Sequence, residues 1–292
     1  MNRLFSRVTN WGHLVKFSHT LFALPFALSM VIVVWRTRPV PLSALGWILV
    51  ALVCARTAAM GFNRLLDRAI DARNPRTKNR ELVTGVVSVR EAVALVAGAT
   101  AGFLLSAAML GRQCLMLSPV VLFVLFGYSL TKRFTSWSHL VLGLALALAP
   151  GGAWFALTSE FSLKPLSLML AVLFWVAGFD ILYSCQDQEF DKKAGLYSIP
   201  KSFGLRWAFV LAGVFHFLSV CFLAVFGVVF DLGWVYYVTV AVFAALLAGQ
   251  YFLVSPENLE KIDIAFFSRN GLASVLFCLG VLLEALFSSS FG

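Results

Sequence analysis

Charged residues are scarce in this sequence. Asp, Glu, Lys and Arg make up only 13% of its 292 residues, hydrophobic residues make up 60%, and the mean hydropathy is +0.88. Soluble domains contain nearly twice that share of charge, about 25%. Because so little polar surface is available, the composition excludes an ordinary soluble protein and places the chain in a lipid bilayer.

Paired cysteines are also missing. The five cysteines are scattered along the chain, and no two of them form a C-x-x-C pair. This spacing supports neither a disulfide framework nor a zinc site built on cysteine. We therefore expect free thiols that pack as small apolar side chains.

Long apolar runs dominate the rest of the chain. A membrane-spanning helix needs about 20 mostly apolar residues. Nine such runs are present, and nothing resembles a linker or a soluble domain, so we predict an all-α polytopic membrane protein with one domain over residues 1–292. The runs cover approximately 18–35, 43–66, 89–109, 114–131, 137–157, 164–186, 206–229, 232–254 and 268–287.

The positive charge follows the connecting segments. Of the 23 Lys and Arg residues, 18 fall in alternate connecting segments or within three residues of them, four fall in or next to the remaining segments, and Arg56 lies deeper within a run. By the positive-inside rule the basic segments face the cytoplasm, which predicts a cytoplasmic N-terminus. The net charge of +9 is thus a topology signal. It lies on no single helix face, so we predict no nucleic-acid partner.

One polar segment interrupts the apolar pattern at the end of the second run. Asn63, Asp67 and Asp71 are spaced four residues apart, so they fall on a single face of a helix with about 3.6 residues per turn. Six basic residues are interleaved with them or follow them: Arg64, Arg68, Arg73, Arg76, Lys78 and Arg80.

A second polar segment closes the sixth run. Asp187 and Asp191 are one helical turn apart, and Asp180 lies two turns before Asp187. A continuous helix would place all three carboxylates on one face. In the predicted topology both acidic segments emerge at the cytoplasmic side.

The residue types in the two segments point to a metal and a phosphate. Carboxylates four residues apart repel each other unless a cation lies between them. Oxygen ligands without His or Cys suit Mg²⁺, and neighbouring Arg and Lys suit phosphate groups. The alternative is that these are solvated loop charges that serve topology alone. The repeated D-x-x-x-D spacing favours a site for Mg²⁺ and a diphosphate.

Two further ionisable residues lie inside apolar runs. Arg56 is seven residues before Asn63, hence on the same face and deeper in the bilayer, where a charge is costly and usually functional. We expect Glu284, near the outer end of the last run, to extend to the membrane interface. Histidines such as His139 are expected to be satisfied core or interface residues.

Further motifs accompany the acidic segments. Tyr128 is followed by Lys132 and Arg133 in a Y-x-x-x-K-R pattern, and Asp191 is followed by the sequence GLYSIP at 195–200. Together with the two acidic segments, these motifs resemble those of the UbiA-type intramembrane aromatic prenyltransferases, and most closely their 4-hydroxybenzoate polyprenyltransferase branch.

This resemblance implies nine helices around a central cavity, Mg²⁺ as cofactor, and a bacterial-type inner membrane. The implied substrates are a polyprenyl diphosphate and a small aromatic acid, either 4-hydroxybenzoate or a dihydroxynaphthoate, in ubiquinone or menaquinone biosynthesis. The oligomeric state stays open. The implied metal ligands are Asp67, Asp71, Asp187 and Asp191. The substrate-binding residues are Asn63, Arg68, Lys132 and Arg133, to which we add Arg56.

The expected catalytic residues come from the second acidic segment and from Tyr128. Tyr128 would orient the leaving group or stabilise a carbocation. Asp180 or Asp191 would remove a proton from the acceptor ring. The basic residues would contact the diphosphate or an acceptor carboxylate, and their individual roles stay open.

Other functions remain as alternatives. A secondary transporter also contains membrane carboxylates, but these bind coupling ions near the bilayer midplane, whereas the acids here lie at helix ends beside basic segments. A CDP-alcohol phosphotransferase would need a D-G-x-x-A-R signature, which the sequence lacks. Prenylation of haem or chlorophyllide is a further alternative within the resembled family.

The predicted topology can be tested with single-cysteine variants. Cysteines introduced next to Lys78 and Lys193 should be protected from an impermeant thiol reagent in intact cells, and a cysteine next to Arg112 should react. Labelling after membrane permeabilisation is the control. Reaction at Lys78 in intact cells would invert the topology and contradict the distribution of positive charge.

Overall fold

The chain folds into helices in the computed structural model, which describes residues 11, 12, 14 and 22–290, without the side chains at 265, 266, 289 and 290. No strand is present in this part of the chain. The α-helices are α1 Leu24–Trp35, α2 Leu42–Asp71, α3 Glu81–Thr84, α4 Val89–Leu110, α5 Arg112–Thr131, α6 Ser138–Thr158, α7 Leu166–Ser184, α8 Gln188–Ala194, α9 Ile199–Val229, α10 Trp234–Gln250 and α11 Asn270–Ser290.

The predicted all-α membrane architecture is confirmed. Seven helical stretches in the described part of the chain are long and apolar enough to span a bilayer, and α1 and α10 are shorter apolar helices. Each of the nine predicted runs therefore corresponds to a helix there. The predicted start of the first run, residues 18–21, lies outside the described residues.

Two helices are longer than their apolar runs. Helix α2 continues to Asp71, where the Thr77 hydroxyl donates to the Asp71 carbonyl at 3.1 Å and satisfies a group that a helix end leaves free. Helix α9 begins at Ile199 because Ser198 caps it by accepting from the Lys201 N–H. Gly204 then adopts φ 83° and ψ 166°, which breaks the helix before its apolar part begins.

The helices form two compact units. Of the described residues, the first contains 11, 12, 14 and 46–130, and the second contains 22–45 and 131–290. The second unit is built around aromatic rings. Trp175 is fully buried against Phe26 and Phe243, and its indole N–H donates to Asn270 Oδ1 at 2.9 Å. Gln250 donates to the same oxygen at 3.0 Å, so these three buried side chains are paired with one another, as a bilayer requires.

One end of the second unit gathers three helix ends. Arg36 at the end of α1 donates to the carbonyl of Phe230 at the end of α9, at 3.2 Å. Arg38 forms an ion pair of 3.3 Å with Glu160, just after α6. The ends of α1, α6 and α9 therefore lie together, as the predicted alternation of the spans requires. The orientation of this end toward the outside stays a prediction.

The expectation for Glu284 is wrong. Its side chain is 3% exposed and accepts hydrogen bonds from the backbone N–H groups of Gly233 and Tyr236, at 2.7 and 3.3 Å. These groups belong to the first turn of α10. The first N–H groups of an α-helix have no carbonyl partner within the helix. A buried carboxylate is therefore used as a helix cap, because the positive end of the helix stabilises it.

Helices α6 and α7 pack closely at Gly143. A Cβ atom added there would contact the backbone carbonyl group of Leu173, with the carbonyl carbon at 3.1 Å and the Cα at 3.2 Å. Backbone atoms cannot move aside as a flexible side chain can. Gly152 lies on the same helix, and an added Cβ there would meet nothing within 4 Å.

Gly143→Ala should therefore destabilise the second unit, and Gly152→Ala should not. Overpacking of this kind costs about 1–3 kcal/mol, whereas Ala is favoured over Gly in helices by about 1 kcal/mol. Thermal unfolding of the detergent-solubilised variants, followed by tryptophan fluorescence, measures the difference. Equal unfolding temperatures for both variants would contradict the close contact.

Candidate functional site

The first acidic segment lies at the cytoplasmic end predicted for α2, in the first unit. The Asn63 amide donates to Asp67 Oδ2 at 3.1 Å and to the Ser129 hydroxyl at 3.3 Å. Asn63 and Asp67 therefore share a helical face, as the spacing predicts, and Ser129 of α5 lies beside them. The two donor bonds orient the amide so that its oxygen points away from both partners.

Asp71 is paired with a cation. The Arg80 guanidinium contacts Asp71 Oδ2 at 2.6 Å, and the Asp71 side chain is 9% exposed. A carboxylate buried to this degree needs such a partner, because an isolated buried charge is costly. Arg80 belongs to the predicted phosphate-binding set, so the acid and base of this segment are in direct contact.

Two neighbouring arginines bind backbone carbonyls. Arg68 donates through Nε to the Leu82 carbonyl, and the buried Arg64 donates through Nε to the Leu14 carbonyl, each at 3.2 Å. These bonds hold the backbone at Leu14 and at Leu82 against the end of α2. The predicted contact of Arg68 with substrate stays a prediction.

Arg56 and Tyr128 lie deeper in the same unit. The Arg56 Nε atom is buried and has no hydrogen-bond partner among the described residues. Tyr128 lies within electrostatic range of Arg56 and of Asp67. Arg56, Asn63 and Asp67 therefore follow one another along α2, and Tyr128 of α5 lies near them in the same unit.

The second acidic segment is not a continuous helix, contrary to the prediction. Helix α7 ends at Ser184, a 3₁₀ turn covers Cys185–Asp187, and α8 begins at Gln188. A 3₁₀ turn has three residues per turn, so it shifts the phase of the side chains that follow it. The α-helix assumed for this segment is therefore interrupted between Asp180 and Asp191, and the shared face of the three carboxylates stays a prediction.

Asp191 is buried at the start of a chain reversal. The chain turns at Gly195, whose φ of 71° closes α8 in a left-handed cap. It returns so that the Ser198 hydroxyl donates to Asp191 Oδ2 at 2.7 Å. Lys132 and Asp187 lie within electrostatic range of Asp191. Two carboxylates and a lysine are thus brought together in the second unit.

The loop after α5 is joined to this reversal. The Tyr197 N–H donates to the Lys132 carbonyl at 2.7 Å. Lys132 and Arg133 are both exposed, so their charged groups are accessible to a ligand. The predicted roles of these two residues in binding diphosphate or a carboxylate stay predictions.

Asp180 has a partner that the sequence did not reveal. His139 Nδ1 lies 2.7 Å from Asp180 Oδ2, and His139 is 1% exposed. Sequence reasoning treated His139 as a satisfied core residue, since no motif places it near an acid. Ser198 was also missed as a partner of Asp191, although the GLYSIP sequence that contains it was noticed.

The acidic pairs fit Mg²⁺ better than a metal held by protein alone. Among the described residues, no group of three or more His, Cys, Asp and Glu side chains could hold an ion together. Mg²⁺ commonly binds through one or two carboxylates, water and substrate phosphates. Each segment supplies two carboxylates with a cation nearby, which matches that pattern of ligands.

The chain belongs to the UbiA prenyltransferase family, whose model matches residues 23–275. It is 31% identical over 234 residues to a 4-hydroxybenzoate octaprenyltransferase of Nitrosospira multiformis, with 80% of each chain covered. The protein is therefore a membrane prenyltransferase, as the motifs predict. The alternative of a secondary transporter is set aside on this membership.

Solved structures agree with this assignment. A UbiA homolog from Aeropyrum pernix, in its apo form, matches with a TM-score of 0.79 and 31% identity over 93% of this chain and 98% of the other. A UbiA homolog from Archaeoglobus fulgidus bound to GPP and Mg²⁺ matches with a TM-score of 0.72 and 22% identity over 95% and 99%. The second likeness concerns the fold alone.

Proposed function

We propose that this protein transfers a polyprenyl group from a prenyl diphosphate to the ring of a small aromatic acid, with Mg²⁺ as cofactor. The acceptor is 4-hydroxybenzoate or a dihydroxynaphthoate, and the product feeds ubiquinone or menaquinone biosynthesis. The reaction takes place in a bacterial-type inner membrane with the N-terminus in the cytoplasm. The Nitrosospira relative named as a 4-hydroxybenzoate octaprenyltransferase supports this choice of acceptor.

Two pairs of carboxylates, each beside a cation, carry this proposal. Asp71 contacts Arg80 at 2.6 Å, and Asp191 lies within electrostatic range of Lys132. A cation alone would use only the carboxylates, and an anion alone would use only the Arg and Lys side chains. A ligand that combines Mg²⁺ with phosphate oxygens uses both, since the carboxylates bind the metal and the cations bind the phosphates.

Asp67, Asp71, Asp187 and Asp191 would hold Mg²⁺. When bound, Mg²⁺ supplies positive charge that stabilises the departing diphosphate. Arg80 is positioned to exchange one partner for another. Because a metal ion at Asp71 neutralises that carboxylate, the Arg80 guanidinium can turn to a phosphate oxygen without leaving a buried charge unpaired. Arg68, Lys132 and Arg133 add positive charge for the same leaving group.

The transfer breaks one bond and forms another. The allylic carbon–oxygen bond breaks, and the diphosphate leaves with the electron pair. The ring carbon beside the acceptor hydroxyl then forms a carbon–carbon bond to the allylic carbon and loses its proton to a base. Tyr128 can stabilise the positive charge on the allylic carbon with its ring face, and the surrounding bilayer keeps water away.

Asp180 is better suited than Asp191 to accept the ring proton. Asp191 is 3% exposed and has Asp187 and Lys132 within electrostatic range, which favours the role of metal ligand. The Asp180 side chain is 23% exposed, and only its Oδ2 atom is hydrogen-bonded within the described residues. Its second oxygen can therefore approach a substrate.

Arg56 is suited to bind the carboxylate of the acceptor. Its buried Nε–H has no hydrogen-bond partner among the described residues, and an unpaired buried donor is costly. A carboxylate would satisfy this donor and neutralise the charge. An aromatic acid seated there would lie beside Tyr128, which is within electrostatic range of Arg56.

The proposed activity can be tested with purified membranes. With 4-hydroxybenzoate or a dihydroxynaphthoate and several allylic diphosphates, mass spectrometry should detect a prenylated acid. EDTA should abolish its formation and excess Mg²⁺ should restore it, because the acidic pairs cannot bind diphosphate without a metal. Acceptor analogues that lack the carboxyl group serve as the control for the proposed binding of the acceptor carboxylate by Arg56. Undiminished turnover in metal-free buffer would contradict the proposed mechanism.

Asp67→Asn and Asp191→Asn should separate catalysis from folding. The amide oxygens of the new residues can still accept from Asn63 and Ser198, so the folded yield should stay near that of the unmodified protein. Turnover should fall by about 100-fold or more, because each change removes charge that stabilises the leaving group.

Asp231→Asn is the matched control for these variants. Asp231 lies in the turn between α9 and α10 with φ of 50°, a conformation that Asn also tolerates, and it has no proposed role in the reaction. Its turnover should be unchanged. Folded yield is measured by size-exclusion chromatography on the samples used for turnover. Well-folded Asp67→Asn protein with normal turnover would contradict the proposed binding of Mg²⁺ by Asp67.

A further inference from the structure

His139 uses both of its ring nitrogens. It lies in the first turn of α6, where Nδ1 contacts Asp180 Oδ2 at 2.7 Å and Nε2 accepts the N–H of Ile199 at 3.4 Å. Since Nε2 accepts a hydrogen bond, it carries no proton. These two contacts fit the tautomer that has its proton on Nδ1, which donates toward the carboxylate of α7.

The neighbouring residue, Ser198, holds the other acidic side chain. Its hydroxyl has a single proton, which it donates to Asp191 Oδ2 at 2.7 Å, while its oxygen accepts from the Lys201 N–H at 3.4 Å. Ser198 is 2% exposed, so water does not compete for these bonds. Hydrogen bonds to a charged group in such surroundings are stronger than those between neutral groups.

Residues 198 and 199 are consecutive, so the two interactions are mechanically joined. A shift of Ile199 away from His139 would carry Ser198 with it and would turn the hydroxyl away from Asp191. The same segment is fixed from a third direction, because the Gln188 amide donates to the Pro200 carbonyl at 2.7 Å. The N-terminus of α9 thus links a side chain of α7 to a side chain of α8.

We infer that His139 and Ser198 are positioning residues for prenyl transfer. His139 directs the free oxygen of Asp180 toward the acceptor ring, and Ser198 fixes Asp191 in the orientation that binds Mg²⁺. This inference rests on the proposed function. Partners of metal ligands and of catalytic carboxylates act in this way in other enzymes, and their loss costs about 10–100-fold in metal affinity or activity.

Two substitutions of His139 separate its two bonds. The amide N–H of Asn can occupy the place of Nδ1–H, so His139→Asn keeps the bond to Asp180. The longer Gln places its amide oxygen near the position of Nε2, so His139→Gln keeps the bond to Ile199. If His139 positions Asp180, His139→Gln should lower kcat by about 10–100-fold with little change in KM for the diphosphate, and His139→Asn should stay within a few-fold of the unmodified enzyme.

Ser198→Ala should affect the metal instead. The Mg²⁺ concentration for half-maximal activity should rise by about 10–100-fold, and Ser198→Thr should restore it because Thr also carries a hydroxyl and also caps helices. A second readout does not depend on turnover. Mg²⁺ with inorganic pyrophosphate should raise the unfolding temperature of the unmodified protein, and Ser198→Ala should need a higher Mg²⁺ concentration for the same rise.

Matched controls lie elsewhere in the second unit. Ser219 is 1% exposed and donates to the Ala171 carbonyl at 2.8 Å, and the buried His216 bonds to the Tyr251 hydroxyl at 2.8 Å. Neither has a proposed role in the reaction. Ser219→Ala and His216→Gln should lower the unfolding temperature without changing kcat or the Mg²⁺ requirement.

The outcomes are distinct. If the unmodified protein forms no prenylated acid or needs no Mg²⁺, the proposed function fails. If it does both, while His139→Gln and Ser198→Ala match it in kcat and Mg²⁺ requirement, the inference alone is overturned. Equal losses of kcat in His139→Asn and His139→Gln, matching their losses of folded yield, would reduce His139 to a structural residue and overturn its part of the inference.

Discussion

A polar group within a bilayer must find its partner inside the protein, because hydrocarbon offers none. This constraint accounts for several of the buried polar contacts between helices. Glu284 caps α10 through the N–H groups of Gly233 and Tyr236, and Trp175 donates its indole N–H to Asn270. Such residues are buried because they are paired, and their pairing fixes which helices pack together.

Under the same constraint, the acidic segments are distinguished by the kind of partner they have. Asp67 accepts a hydrogen bond from Asn63, Asp191 accepts one from Ser198, and Asp180 contacts His139 Nδ1. Hydrogen bonds of this kind fix the orientation of each carboxylate. Asp71 is different, since its charge is already balanced by Arg80. The first unit thus contains, on one helix, a carboxylate hydrogen-bonded to an amide and a carboxylate paired with a guanidinium.

Much of this organisation follows from the sequence because it depends on local spacing. Apolar runs of about 20 residues predict spanning helices, and a spacing of four residues places Asn63 and Asp67 on one face. Contacts between distant residues were not accessible in this way. The 3₁₀ turn at Cys185–Asp187 breaks the helical phase, and neither His139 nor Glu284 lies near its partner in the sequence. These contacts depend on which helices pack together.

The chain reversal after α8 shows how a local signal and a distant contact combine. Gly195 and Pro200 mark a turn and a helix start in the sequence, because glycine tolerates φ of 71° and proline is favoured in the first turn of a helix. The turn alone would make Ser198 an ordinary helix cap whose side chain could rotate. Ser198 is kept close to Asp191 because His139, on another helix, accepts a hydrogen bond from the N–H of the next residue. The local motif therefore supplies the hydroxyl, and tertiary packing determines which carboxylate receives it.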